Sequence, residues 1–232
     1  MKLKTKIFGL LVAISLIGTV YADARNFSIK VHNTEINVRA PDGFYESSYI
    51  DPLVSEIFSK LMPDDLRIHA ILIPKDGMDD DSRYMVLVTV KEVEKLKLSQ
   101  RMFDKEIRKI MREQQFTLMN SLKDEINDLF IEKSNTFSND YDMNISLKTN
   151  EMTSLGVFLD NSDSIGFATI MNMEVSAEEY SDKSPIINAT VFSKVKNKLI
   201  VIYIYSEYRS MKDVVWVKAK AKEFTSLLLI NN

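Results

Sequence analysis

This chain has few residues from which chemistry could be built. It holds two histidines, His32 and His69, one tryptophan and no cysteine. Thiol nucleophiles, thiolate metal sites and disulfides are therefore excluded, and any imidazole acid-base step must use one of two side chains. His69 lies in the stretch Ile68-His69-Ala70-Ile71, with Ile71 and Ile73 on its own face of an extended strand. A histidine in such a setting is more often a satisfied core or edge residue than a ligand. No His-x-x-x-His, Glu-x-x-His or Gly-x-Ser-x-Gly motif accompanies it. No catalytic residue is assigned, no cofactor is expected, and the sequence leans away from an enzyme. The enzymatic alternative is a hydrolase working with carboxylates alone, since paired Asp or Glu can perform acid-base steps without histidine.

Other groups of residues could bind rather than react. Tyr203, Tyr205 and Tyr208 stand near the end of an apolar strand and could line a ligand groove, each offering an apolar ring and a polar tip. Asp76, Asp79, Asp80 and Asp81 concentrate charge in one loop and form a weak calcium candidate, because their spacing departs from the EF-hand ligand order. No other metal site is expected. A basic stretch of Lys91, Lys95, Lys97, Arg101, Lys105, Arg108, Lys109 and Arg112 is interleaved with Glu92, Glu94, Asp104, Glu106 and Glu113. Mixed signs at helical spacing read as a solvated face with weak ion pairs, so no nucleic-acid partner is expected. Met171 and Met173 share one strand face, where methionine can serve as an adaptable contact or as ordinary core filler.

The elements that must position these residues follow from periodicity. Ile36, Val38 and Ala40 alternate with polar residues and run into the turn Pro41-Asp42-Gly43 before Phe44. Asp51 and Pro52 open a short helix with Val54, Ile57, Phe58 and Leu61 on its apolar face. Arg67 to Ile73 and Tyr84 to Val90 predict a strand pair. Phe103, Ile107, Ile110, Leu118, Leu122, Ile126 and Leu129 predict a long helix from Ser99 to about Lys133, closed by the turn-rich Asn135 to Asp140. Strands follow over 154–160, 165–175, 185–194 and 198–205, joined by Asn161-Ser162-Asp163 and Lys196-Asn197. Ser210 and Asp213 stand in capping-box spacing before a final helix. The strand 199–205 is apolar on both faces, so both must be covered. The predicted fold is α+β, a mainly antiparallel sheet flanked by helices on both faces as an α/β/α sandwich.

The first residues read as an address. Lys2, Lys4 and Lys6 precede an apolar run from Ile7 to Val20 and small residues suited to a peptidase, with cleavage after Ala22 or alternatively Ala24. The run is shorter than a bilayer span, and no second run of that length follows, so no transmembrane anchor is expected after processing. Residues 1–22 are thus read as a cleaved signal peptide and 23–232 as one domain. The chain carries 30 basic and 33 acidic residues; loss of the three leader lysines leaves 27 against 33, a formal charge of −6. Such a balance argues against anionic lipid or nucleic acid as a general partner, although local basic patches remain compatible with it.

The order of a strand into Pro41-Asp42-Gly43-Phe44, a strand pair, a helix, an antiparallel meander and a closing helix after Tyr205-Ser206-Glu207-Tyr208 resembles the PsbP-like fold and small uncharacterised exported proteins of proteobacteria. That resemblance implies an accessory or binding role and transfers no catalytic residue. With the leader, it leads to the expectation of a periplasmic or secreted, non-catalytic binding or accessory module of the bacterial envelope, with an unknown protein or small-molecule partner. A secreted effector is the further alternative.

Overall fold

The computed structural model describes residues 25–47, 52–74, 83–141, 145–177 and 180–232. The leader with Ala22 and Ala24, Asp51, and the loop with Asp76, Asp79, Asp80 and Asp81 lie outside the described residues, as do the side chains of Val54, Ile57, Leu118, Leu122 and Ile126.

The fold is α+β, built on a large antiparallel sheet. Strands β1 (Asn26–Val31) and β2 (Thr34–Arg39) form a separate hairpin. Strand β3 (Phe44–Glu46), helix α1 (Pro52–Leu61), β4 (Leu66–Pro74) and β5 (Tyr84–Val90) follow. A single 3-10 turn, Lys91–Val93, leads to a helical run made of one turn (Gln100–Met102), a π-helical segment (Phe103–Arg108) and the long helix α2 (Lys109–Tyr141). The remaining elements are β6 (Ile145–Asp160), β7 (Ser164–Ala177), β8 (Tyr180–Val195), β9 (Lys198–Glu207) and α3 (Met211–Ile230). The seven-stranded sheet has the order β3-β4-β5-β9-β8-β7-β6. Every pairing is antiparallel.

Alternation along β9 sorts the core. Ile200, Ile202 and Ile204 join the larger cluster, which includes Val31, Ile36 and Val38 of the hairpin and Val214, Val217, Ala221, Phe224 and Leu228 of α3. Val201 belongs to a second cluster with Ile71, Ile73, Val86 and Val88, against which Phe58 of α1 and Met62 pack. Leu98, Phe103 and Ile165 form a third, joined by Ile107 and Met111. Each fully buried isoleucine adds about 1.5–3 kcal/mol of transfer free energy, so the helix packing and the continuous apolar strand require each other.

Two sequence signals act as anchors. Gly43 adopts φ +85°, a left-handed conformation that favours glycine, and turns Phe44 into the core beside Trp216 at 6.0 Å between ring centroids. The same turn is held to α3 by the Asp42 amide donating to Glu223 and by Lys220 Nζ donating to the Asp42 carbonyl. At the start of α3, the Ser210 hydroxyl accepts from the Lys212 amide while Asp213 accepts from the Ser210 amide, completing the capping box. Asp213 also faces Arg83 at 3.6 Å, and the Arg83 guanidinium lies 4.4 Å from the Trp216 ring centroid.

Three boundaries differ clearly from expectation, the simplest being β8, which starts at Tyr180 rather than Pro185. The long helix does not stop before Asn135 but runs to Tyr141, and β6 begins at Ile145 rather than Ser154. The cause is tertiary: Asn127 brackets the Thr149 backbone, accepting from its amide at 2.8 Å and donating to its carbonyl at 3.0 Å, while Ser134 accepts from the Leu147 amide. These contacts bind the helix to the outer edge of β6, where unpaired strand groups need partners.

Candidate functional site

The sheet carries a line of polar and aromatic side chains across its middle. Tyr84 stands opposite Tyr205, Tyr205 opposite Asn188, Asn188 opposite Thr169 and Thr169 opposite Ser154. Directly opposed residues share a face, so this line crosses five strands, and the adjacent row places Tyr203 opposite Thr190. Thr190 Oγ1 donates to Asn188 Oδ1 at 2.7 Å, and Asn188 Nδ2 donates to the Ile204 carbonyl at 3.3 Å. Asn188, Thr190 and Thr169 are buried, whereas Tyr84, Tyr203 and Tyr205 are only half-buried.

The aromatic end of this line is ordered. Tyr84 and Tyr205 stack with centroids 4.7 Å apart, Phe58 meets Tyr84 edge-on at 5.2 Å, and Tyr203 lies 6.2 Å from Tyr205. These are favoured ring geometries that hold the phenols in place. Burial pushes the Tyr203 phenol up to about 12 and raises Tyr84 and Tyr205 further, with neighbouring phenols adding to the Tyr205 shift. The three hydroxyls therefore stay neutral at ordinary pH. They can donate and accept hydrogen bonds but do not serve as phenolate bases.

Of the three tyrosines chosen from sequence, the structure brings two together. Tyr208 belongs with the α3 cluster on the opposite side, its amide donating to the Pro185 carbonyl at 2.8 Å. The signal was available: with a period of two, positions 203 and 205 share a face and 208 does not. Tyr84 and Phe58 were not selected from sequence because only the register places them beside Tyr205. Met171 and Met173 are half-buried on β7, with Met171 opposite Met152 and Ile186.

His69 sits elsewhere. A register shift between Ile68 and Ala70 leaves it unpaired in β4, which corrects the expectation that it shares a face with Ile71 and Ile73. Its Nε2 lies 2.8 Å from Thr89 Oγ1, and that hydroxyl donates to Glu94 Oε1 at 2.5 Å. Arg67 Nε donates to the same oxygen at 2.8 Å. Burial and Arg67 lower the His69 pKa against the opposing pull of Glu94. Burial pushes the Glu94 carboxyl up, but hydrogen bonds from Thr89 and Arg67, with the charges of Arg67 and His69, bring it below its ordinary value.

The direction of these bonds decides their chemistry. Thr89 has one hydroxyl proton and gives it to Glu94, so His69 must donate from Nε2 to the threonine oxygen. A threonine nucleophile would need the reverse order, with histidine accepting its proton. The cluster is a latch between the sheet and the turn after β5. Lys198 strengthens it by donating to the carbonyls of Glu94 and Leu96 at 2.6 and 3.1 Å. Among the described residues, no group of three or more His, Asp or Glu side chains is placed to hold a metal ion, and no helix is long and apolar enough to cross a membrane.

No family model matches the chain, and no curated protein matches it. Solved structures that it is similar to include a point mutant of the protein Mog1, at 10% identity and a TM-score of 0.36 over 88% of this chain and 93% of that one. Another is the Ran-binding protein Mog1p of Saccharomyces cerevisiae, at 8% identity and a TM-score of 0.36 over 88% and 92%. At that TM-score the likeness assigns neither fold nor partner. It does correct the earlier expectations: these neighbours are neither PsbP-like nor exported proteobacterial proteins. The PsbP-like resemblance rested on a common Pro-x-Gly-aromatic turn, and the export reading on a leader outside the described residues. The periplasmic or secreted location and the envelope-accessory role, with its hydrolase and effector alternatives, are set aside.

Proposed function

We propose that the chain is a protein-binding module whose partner contacts the accessible edges of Tyr84, Tyr203 and Tyr205, which stay half-buried beside Phe58 of α1. The observation that carries this reading is the stacked, half-buried tyrosine row, with Asn188 and Thr190 beside it on the neighbouring strand. Tyrosine is enriched at protein interfaces because a rigid ring supplies apolar contact while its hydroxyl supplies a hydrogen bond. Tyr208 stays outside this face. In the same reading, residues 23–232 act as one domain, an α/β/α sandwich with α3 covering one side of the sheet and α1 with the π-helical segment covering the other. The residue clusters on each side support that arrangement.

A photo-crosslinking side chain placed at Tyr203 tests the proposal. A single protein adduct is expected in cells, absent when the same group replaces exposed Val215 on α3. Tyr203→Ser should then weaken binding of the purified partner at least about tenfold, at a temperature below the lowered melting point that loss of this packed ring brings. Absence of an adduct at Tyr203, or equal adducts from both positions, would refute it.

A further inference from the structure

Folding sorts charges that alternate along the sequence. From Gln100 onward, positions four apart fall into separate stripes. Phe103, Ile107 and Met111 pack inward. Asp104, Arg108 and Arg112 turn toward the β6–β7 connection: Arg108 pairs with Asp104 at 2.6 Å and donates to the Asn161 and Ser162 carbonyls, and Arg112 pairs with Asp160 at 2.5 Å. Arg101, Lys105 and Lys109 form a third stripe that is exposed and carries no ion pair among the described residues. Glu94 is withdrawn into the latch with only 10% of its side chain exposed. Between residues 92 and 113 the exposed cations without an ion pair among the described residues are Lys95, Lys97, Arg101, Lys105 and Lys109, opposed by the exposed Glu92, Glu106 and Glu113. Two apolar side chains stand among them, Leu96 at 49% and Met102 at 39% exposure.

We propose that this surface adsorbs to an anionic lipid bilayer, its cations meeting the headgroups while Leu96 and Met102 enter the acyl boundary. Charge complementarity fixes the sign of the occupant. Four of the five cations are lysine, a hydrated point charge suited to a diffuse anionic field, whereas recognition of individual carboxylates favours the bidentate fork of arginine. Two exposed apolar residues flanked in sequence by lysines and an arginine are too few to form the charge-depleted core of a protein interface. Lysine stems that lie along apolar surface with their ammonium groups outward suit a membrane boundary. The chain as a whole carries a formal charge of −3, so an anionic surface repels its other sides and orients this one inward.

Sedimentation of the full chain with vesicles tests the proposal. Binding is expected to vesicles of phosphatidylcholine mixed with phosphatidylglycerol, not to phosphatidylcholine alone, and should fall as salt rises. Lys105→Gln with Lys109→Gln should lower the partition coefficient about thirtyfold, near fivefold per cation, while Lys222→Gln on exposed α3 leaves it unchanged. Leu96→Ser with Met102→Ser should weaken binding further at moderate salt. These positions are exposed, so melting temperatures should stay constant. Equal binding to neutral vesicles, or no response to the lysine pair, overturns the proposal. Binding to duplex DNA as tight as to vesicles, with no effect of the Leu96 and Met102 changes, overturns it in favour of general polyanion attraction.

Discussion

Replacing Thr89 by valine probes the latch most directly. The two side chains have nearly the same shape, and Thr89 is fully buried, so the substitution removes a hydroxyl without opening a cavity. Two hydrogen bonds disappear. Glu94 loses the 2.5 Å donor to its carboxylate, and the His69 Nε2 proton loses its acceptor at 2.8 Å. A hydrogen bond to a charged group contributes about 1.5–3 kcal/mol, and a buried donor left unmade costs about 1–3 kcal/mol. Arg67 remains on Glu94 and offsets part of the loss. The expected destabilisation is about 3 kcal/mol, or roughly 6–12 °C in melting temperature for a chain of this size. Urea denaturation of the full chain measures it, and the slope of the transition should be unchanged. A double-mutant cycle with Glu94→Gln should return a coupling of at least about 1 kcal/mol, since both changes act on one bond. A loss below about 0.5 kcal/mol for Thr89→Val, or additive behaviour in the cycle, would show that the three side chains do not form a coupled unit.

The same geometry has pH consequences. His69 is depressed in the folded chain, so its neutral form is favoured and the unfolded chain binds more protons between the two pKa values; stability present above about 6.5 should decline as pH falls through the folded value. That decline should vanish in His69→Gln. The sign reverses for Tyr203, raised to about 12: its contribution is complete below about 10 and lost as pH climbs toward 12, a change that ultraviolet absorbance of the phenolate reports and that Tyr203→Phe should remove. Ser210→Ala should cost about 1 kcal/mol by opening the α3 cap, measured as a shift in denaturation midpoint. Ala at Gly43 meets no atom within 4 Å but must adopt φ +85°, so its expected cost of about 1–2 kcal/mol comes from backbone strain alone.

Where the chain obeys a local rule, sequence and structure agree. The capping box at Ser210 and Asp213, the turn at Gly43 and the two apolar faces of β9 all depend on neighbours close in sequence, and each forms as expected. The last of these also required cover for both faces, which locates the core before any contact is known. Departures occur where distant residues intervene. Asn135 to Asp140 has turn composition, yet helix persists because Asn127 and Ser134 bond the edge of β6. His69 changes face through a one-residue irregularity in β4, which alternation alone does not reveal. Tyr84 reaches Tyr205 through a register that neither strand specifies by itself.

Charge patterning shows the same limit with a larger functional consequence. From Lys91 to Arg112 the signs alternate, and a one-dimensional reading averages them toward neutrality. In three dimensions two of the acids are drawn away from the bases. Glu94 is held inward by Thr89 and Arg67, and Asp104 is held by Arg108, while Arg101, Lys105 and Lys109 project outward four residues apart. Two of the carboxylates that would have screened the lysines, Glu94 and Asp104, are occupied by other partners, while Glu92, Glu106 and Glu113 stay exposed. The latch therefore does more than fasten the turn after β5: by withdrawing Glu94, it leaves Glu92 as the one exposed carboxylate between Lys91 and Lys97. Thr89→Val should weaken that withdrawal and with it the attraction of anionic vesicles, linking the buried hydroxyl to the surface field through a single carboxylate.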